Sequence, residues 1–136
     1  MFSIMLFAIS IVALTQFALY YWRAVLAGVA AQPVSDRVLE AVHVENGGLG
    51  LTGRDFEKLV GLHDLTPDLN PDRGGLGLVR LYYHVIDGFS TLASSRIPAL
   101  AAWIEQERTI CARYAAVQID RRLQANMALA ASLRSC

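Results

Sequence analysis

Residues 2–22 read FSIMLFAISIVALTQFALYYW, a run that contains no Asp, Glu, Lys, Arg or His. A helix rises about 1.5 Å per residue, so about twenty such residues cross a hydrocarbon layer of roughly 30 Å. The run ends in three aromatic residues and a base, and both kinds of side chain favour the headgroup layer. The sequence therefore predicts one membrane-spanning helix whose C-terminal interface is formed by Tyr20, Tyr21, Trp22 and Arg23.

A cleaved signal peptide is the alternative interpretation of this segment. The small residues Val29, Ala30 and Ala31 resemble a cleavage site, and cleavage would release a secreted helical protein. Signal peptides, however, open with basic residues and carry an apolar stretch of about 7–15 residues. Residues 1–3 carry no basic side chain and the apolar run is longer, so a permanent anchor over residues 1–32 is favoured.

The distribution of basic residues predicts the orientation of the anchor. Arg23 and Arg37 follow the apolar run, and the positive-inside rule places the more basic flank in the cytoplasm. The N-terminus is then outside, and residues 33–136 form a cytoplasmic domain. Arg outnumbers Lys, of which Lys58 is the single example, and Ala, Leu and Gly are abundant. This usage is typical of GC-rich bacteria, so the expected location is a bacterial inner membrane, with the lipid bilayer as a partner.

Charge and cysteine content exclude several classes of protein. The 12 basic and 12 acidic side chains give a net charge of zero, whereas nucleic-acid binding requires clustered positive charge. Nucleic acid is therefore not an expected partner. Cys111 and Cys136 are the two cysteines, and their spacing suggests neither a disulfide framework nor a zinc site.

Turn residues divide the remaining chain into helices. Pro33 ends the anchor helix, and Ser35 has the side chain of an N-cap for the next helix. The predicted fold class is all-α: one transmembrane helix followed by a small bundle of about four helices, the last one long. The four are expected over residues 36–45, 52–63, 76–94 and 98–136, the last beginning at Pro98.

The third of these helices has apolar residues around most of its circumference, which predicts a central position in the bundle. Arg80, His84 and Asp87 follow at i, i+4 and i+7 on one narrow face. Three ionisable groups disfavour a second membrane span. They form a candidate polar cluster, and a solvated seam is the simpler interpretation of the same spacing.

The last helix is too long for a compact bundle. It would extend about 50 Å, whereas a domain of a hundred residues has a radius of gyration near 13 Å. A strict coiled coil is disfavoured, because a heptad would place Glu107 and Arg121 at core positions. Either the helix breaks near residues 118–124 and folds back, or its end projects and meets a partner chain or a second copy. The expected contact stripe comprises Ile104, Cys111, Ala115, Ile119, Leu123 and Met127.

Motifs for catalysis or metal binding are weak. Asp68, Asn70 and Asp72 resemble the first half of a calcium loop, but Arg73 replaces the turn glycine and Val79 the closing glutamate. The three histidines fall on three different predicted helices, and no nucleophile motif is present. We therefore expect no metal, no cofactor and no catalytic residues.

The sequence favours a membrane-anchored accessory or adaptor protein that acts by protein–protein interaction. A small helical enzyme or cofactor carrier, using Arg80, His84 and Asp87, is the alternative. The two hypotheses differ in their response to mutation. A binding protein fails when Ile119 or Leu123 becomes charged, and a catalyst fails when His84 is lost.

Overall fold

A computed structural model describes residues 2–46, 51–67, 76–93 and 98–135, with the backbone alone for 42–46 and 91–93. Within these ranges the chain is all-α, and the predicted apolar first helix and long last helix are both confirmed. The candidate calcium ligands Asp68, Asn70 and Asp72 lie outside the described residues, as does Cys136. The helices are α1 (Phe2–Ala30), α2 (Asp36–Asn46), a 3-10 turn (Gly53–Asp55), α3 (Phe56–Leu65), α4 (Leu76–Ala93) and α5 (Pro98–Arg134).

Helix α1 has an unpacked part and a docked end. Its most apolar 18 residues have a mean hydropathy of 2.2, enough to cross a membrane, and none of them is buried within the chain. Only the end of α1 enters the core, through Leu26 and Ala30. The helix continues through the predicted interface at Trp22 without a break, so the apolar segment and the bundle share one rigid element.

Helix α5 is the central element of the bundle, because every other helix packs against it. Between Ile104 and Asp120 its buried face carries small residues that are fully covered, which allows the neighbouring backbones to approach closely. The core formed around it comprises Leu26, Val38, Phe56, Leu59, Val60, Leu76, Val79, Tyr83, Cys111, Ala112, Tyr114, Ala115, Ala116 and Ile119.

The contacts define the directions of the helices. Helix α1 runs parallel to α5, since Arg23 meets Glu107 while Gln32, further along, accepts a 2.7 Å hydrogen bond from Arg121. Helix α4 lies beside the same level of α5, where the Tyr82 hydroxyl donates to Glu107 at 3.0 Å. Phe89 is two turns further along α4, and it lines the same groove as α1 residues about 10 Å before Arg23. The C-terminal end of α4 is therefore level with the last turns of the apolar segment.

The central position predicted for α4 is wrong. One face of α4 is buried, through Val79, Tyr83 and Ile86. The opposite face is also apolar and yet exposed, because α5 occupies the centre and α4 lies at the edge of the bundle. Its residues Leu78, Leu81, Val85 and Phe89 are 49–63% exposed.

Side-chain hydrogen bonds are made at the start of α2 and in the turn before α3. The Ser35 hydroxyl donates to the carboxylate of Asp120 on α5, so it ties the start of α2 to the core helix. Before α3, Asp55 accepts hydrogen bonds from the backbone N–H of Thr52 at 2.9 Å and from its hydroxyl at 2.8 Å. This reciprocal cap holds the 3-10 turn against α5.

Helix α5 continues unbroken to Arg134, so the alternative of a break near residues 118–124 is wrong and the end of the helix projects, while its contact with a partner stays a prediction. Burial stops at Asp120, which is 7% exposed, whereas Leu133 is 71% exposed. We call residues 121–134 the distal segment. Its first two turns still touch the edge of the bundle, where Asn126 donates to the Pro67 carbonyl at 3.2 Å and Arg37 donates to the Met127 sulfur at 3.6 Å. Residues 128–134 extend about 10 Å further.

Candidate interaction surfaces

The joint between α1 and the bundle is built around a buried carboxylate. Glu107 is 1% exposed and pairs with the guanidinium of Arg23, whose side chain is 43% exposed. The Tyr82 hydroxyl donates to the second oxygen of Glu107 at 3.0 Å. The Arg23 guanidinium also lies 5.4 Å from the ring centroid of Trp103, a cation–π distance. Charge pairing therefore fixes the end of the apolar segment to α4 and α5.

Two weakly acidic side chains beside Glu107, the Cys111 thiol and the Tyr82 hydroxyl, keep their protons at neutral pH. Burial raises the pKa of the Cys111 thiol to about 12, and the negative charge of Glu107 adds to this shift. Burial also raises the pKa of Tyr82, with the hydrogen bond to Glu107 as the next cause. Tyr82 consequently remains a hydrogen-bond donor at neutral pH, and Cys111 is an inert packing residue.

A groove of about 370 Å³ opens beside this joint. It lies between the end of the apolar segment of α1 and the exposed face of α4, with the first turns of α5 as its third wall. Its lining is mainly apolar, and Arg23 stands at the end nearest Glu107. The lining residues are Gln16, Leu19, Tyr20, Arg23, Tyr82, Val85, Ile86, Phe89 and Trp103. We call this the interfacial groove.

The polar cluster predicted on α4 is divided among different partners. Asp87 pairs with Arg108 on α5, while Arg80 lies 4.0 Å from the carboxylate of Asp64 on α3. His84 is exposed, and its ring meets the edge of Tyr83 at 6.1 Å between centroids. Arg80 and His84 both line a shallow depression with Phe56, Glu57 and Val60, but Asp87 does not. The three side chains therefore do not form one catalytic constellation.

The described residues contain no group of three His, Cys, Asp or Glu side chains that could hold a metal ion. His63 lies on α3, 3.6 Å from the carboxylate of its neighbour Asp64, and His84 lies on α4. The side chain of His43 is outside the described part of the chain.

The predicted contact stripe on α5 is split by the edge of the bundle. Ile104, Cys111, Ala115 and Ile119 are each 3% exposed or less, so the chain's own core covers them. Leu123 and Met127 remain accessible on the distal segment, at 36% and 53%. Further along, the exposed apolar surface continues through Leu129 and Leu133.

Two features escaped prediction from the sequence. The first is the burial of Glu107, which lies three residues after Ile104 and four before Cys111 on the stripe. That spacing indicates a buried acid in need of a cationic partner. The second is the interfacial groove, which forms because α4 lies beside α1. No local sequence pattern encodes the relative placement of these two helices.

No family model matches this sequence, and no curated protein or solved structure matches it at a significant level. The function is accordingly inferred from the geometry of the distal segment and the interfacial groove.

Proposed function

We propose that the chain is a single-pass membrane-anchored accessory protein that acts by protein–protein contact through its distal segment. In this proposal α1 spans a bacterial inner membrane with its N-terminus outside, and the bundle lies in the cytoplasm. The observation that carries the proposal is the change in burial along α5, which leaves Leu129 at 46% and Leu133 at 71% exposed. Contiguous exposed apolar surface of this kind is characteristic of interaction sites.

The composition of the distal segment supports contact with a protein. Residues 123–133 read LQANMALAASL and contain no charged side chain. At helical spacing, Leu123, Met127, Ala130 and Leu133 share one side of this segment. Such a face fits an apolar face of another helix.

A second copy is the partner that this geometry favours. Two copies inserted in one membrane with the same orientation present their distal segments at the same height and in parallel. Symmetric contacts place each side chain near its own counterpart, so charged residues would repel one another there. The uncharged run 123–133 avoids that repulsion. We therefore propose parallel pairing of distal segments as the primary contact.

Disulfide crosslinking in native membranes tests this pairing. In a Cys111→Ala, Cys136→Ser background, Ala130→Cys places one thiol on the proposed contact face. Ala128→Cys is the matched control, because two helical residues rotate the thiol by about 160° to the other side. We expect an oxidised dimer with Ala130→Cys and little with Ala128→Cys.

A parallel purification distinguishes a second copy from another partner. The full-length chain is extracted in mild detergent, and co-purifying proteins are identified by mass spectrometry for the unmodified chain and for Leu133→Glu. A stoichiometric foreign chain that is lost in Leu133→Glu, without a crosslinked dimer, would replace the second copy as partner. Absence of both would overturn the proposal.

A further inference from the structure

The interfacial groove lies beside the C-terminal end of the apolar segment of α1. Its α1 wall consists of Gln16, Leu19, Tyr20 and Arg23, the last turns of the helix that is apolar enough to cross a bilayer. Leu19 and Tyr20 in this wall are 48% and 75% exposed, so the other helices leave them largely uncovered. If α1 spans a membrane, the groove therefore opens sideways towards lipid.

The opposite walls have the chemistry of a lipid-facing surface. Val85 and Phe89 on α4 are 49% and 62% exposed, and Trp103 on α5 is 37% exposed. In water this surface would carry an unfavourable hydration cost, whereas hydrocarbon chains remove that cost. Trp side chains concentrate at membrane interfaces, where their rings are amphipathic. The ring centroid of Trp103 lies 5.4 Å from the Arg23 guanidinium, so both side chains stand at the same end of the groove.

The polar groups of the groove are placed at one end. Arg23 stands there with a partly exposed guanidinium, while Leu19 and Phe89 line the apolar part. This arrangement matches a phospholipid, whose chain is apolar and whose phosphate is an acceptor for guanidinium groups. Glu107 offsets the charge of Arg23, so the apolar contact and not the headgroup charge provides most of the attraction.

We propose that the interfacial groove binds an acyl chain of a membrane phospholipid, which lies between α1 and α4 beneath the Arg23 guanidinium. The proposal depends on α1 spanning the membrane and is independent of the contact made by the distal segment. The bound chain would extend the hydrophobic surface of α1 to the exposed face of α4. The end of the bundle would thereby be immersed in the interfacial layer.

Tryptophan quenching tests this proposal on the full-length protein in phosphatidylcholine vesicles. The sequence contains two tryptophans, so Trp22→Phe leaves Trp103 as the only one. Lipids brominated on the acyl chain quench a tryptophan that touches the chain. We expect bromines near the ester end to quench Trp103 as strongly as they quench Trp22 in the Trp103→Phe variant.

A water-exposed tryptophan provides the baseline. Leu129→Trp in a Trp22→Phe, Trp103→Phe background places the fluorophore on the distal segment, far along α5 from the groove. We expect the quenching of Trp103 to exceed that of this variant several-fold. Equal quenching would mean that water or protein fills the groove, and it would overturn the proposal.

A second pair of variants separates a chain in the groove from general immersion. Val85→Asp puts a carboxylate into the groove, and we expect it to reduce the quenching of Trp103 several-fold. Leu78→Asp is the matched control, because it lies two turns away on the same exposed face of α4 and does not line the groove. Unchanged quenching in Val85→Asp, with helicity retained by circular dichroism, would also overturn the proposal. A failed crosslink at Ala130→Cys would leave these results unaffected.

Discussion

Between Ile104 and Asp120, α5 is covered by the other helices, whereas from Arg121 to Arg134 the side chains of the same helix are largely exposed. Both parts are helical, because both lack Gly and Pro and contain several good helix formers such as Ala and Arg. Their difference is in what they contact. Helix formation along α5 therefore follows from local sequence, while burial depends on how far the surrounding helices reach.

The largest difference is expected when the same negative charge is placed in the buried part of α5 and in the distal segment. Ile119 is 3% exposed, so Ile119→Asp buries an unpaired carboxylate and should lower the free energy of unfolding by about 3 kcal/mol or more. Met127 is 53% exposed, so Met127→Asp should change it by less than about 0.5 kcal/mol while weakening self-association. Denaturant unfolding in micelles, followed by circular dichroism, measures the first effect. Equal destabilisation by both variants would show that the distal segment is packed.

Substitution of Gly53 tests how closely the 3-10 turn packs against the buried part of α5. A Cβ added at Gly53 would overlap the Cβ of Arg108 on α5, so Gly53→Ala should destabilise the protein by about 1–3 kcal/mol. Gly61 on α3 is the matched control, because its added Cβ would meet no atom within 4 Å. Gly61→Ala should stabilise by about 0.5–1 kcal/mol, since alanine is the better helix former. Thermal unfolding of both variants would reveal opposite signs, and a neutral Gly53→Ala would contradict this packing.

Two glutamates of α5 compare a buried charge with an exposed one. Glu107→Gln keeps the shape but removes the charge that Arg23 and Tyr82 contact, and should cost about 1–2 kcal/mol. The partial exposure of Arg23 limits this loss, because water can hydrate its guanidinium. Glu105 is 55% exposed and lies 3.6 Å from Arg108, so Glu105→Gln should cost less than about 0.5 kcal/mol. Denaturant unfolding of both variants measures these losses of unfolding free energy. Equal losses would show that the contacts of Glu107 with Arg23 and Tyr82 stabilise the fold no more than a surface ion pair does.

The pH-dependent prediction, whose effect vanishes at neutral pH, concerns the Cys111 thiol. Its pKa is about 12 in the folded chain against an ordinary value of 9.0, so the folded state holds this proton more tightly. The resulting stability is fully present below about pH 9 and is lost as pH rises towards 12. The fall in unfolding free energy above pH 9 should therefore be smaller in Cys111→Ala than in the unmodified chain.

The raised pKa values of Tyr82 and Tyr83 also lower the stability as the pH rises. Both tyrosines are present in the unmodified chain and in Cys111→Ala, so the difference between the two chains reports on the thiol. Labelling gives a second measurement. In a Cys136→Ser variant, Cys111 should resist maleimide at neutral pH until the protein is unfolded. Rapid labelling of the folded chain would contradict both its burial and its raised pKa.

Helix positions were largely predictable because they depend on neighbours in the sequence. The uncharged run ending at Trp22 indicated α1, and Pro98 together with the absence of later Gly and Pro indicated α5. The excess length of α5 over a small bundle also followed from helical rise alone. That arithmetic left two alternatives, a break with fold-back or a projecting end, and the structure contains the projecting end.

Tertiary placement decided which apolar and charged groups are covered. The sequence alone assigned α4 to the centre from its apolar circumference, but α5 holds that position, and one face of α4 is left beside α1. Likewise, Glu107 became the partner of Arg23 through the parallel packing of α1 on α5. Periodicity determines which residues share a side of one helix, whereas contacts between helices depend on residues far apart in the chain. For that reason the sequence by itself determined the apolar first helix and the long last helix, and only the tertiary structure produced the interfacial groove and the boundary of the distal segment.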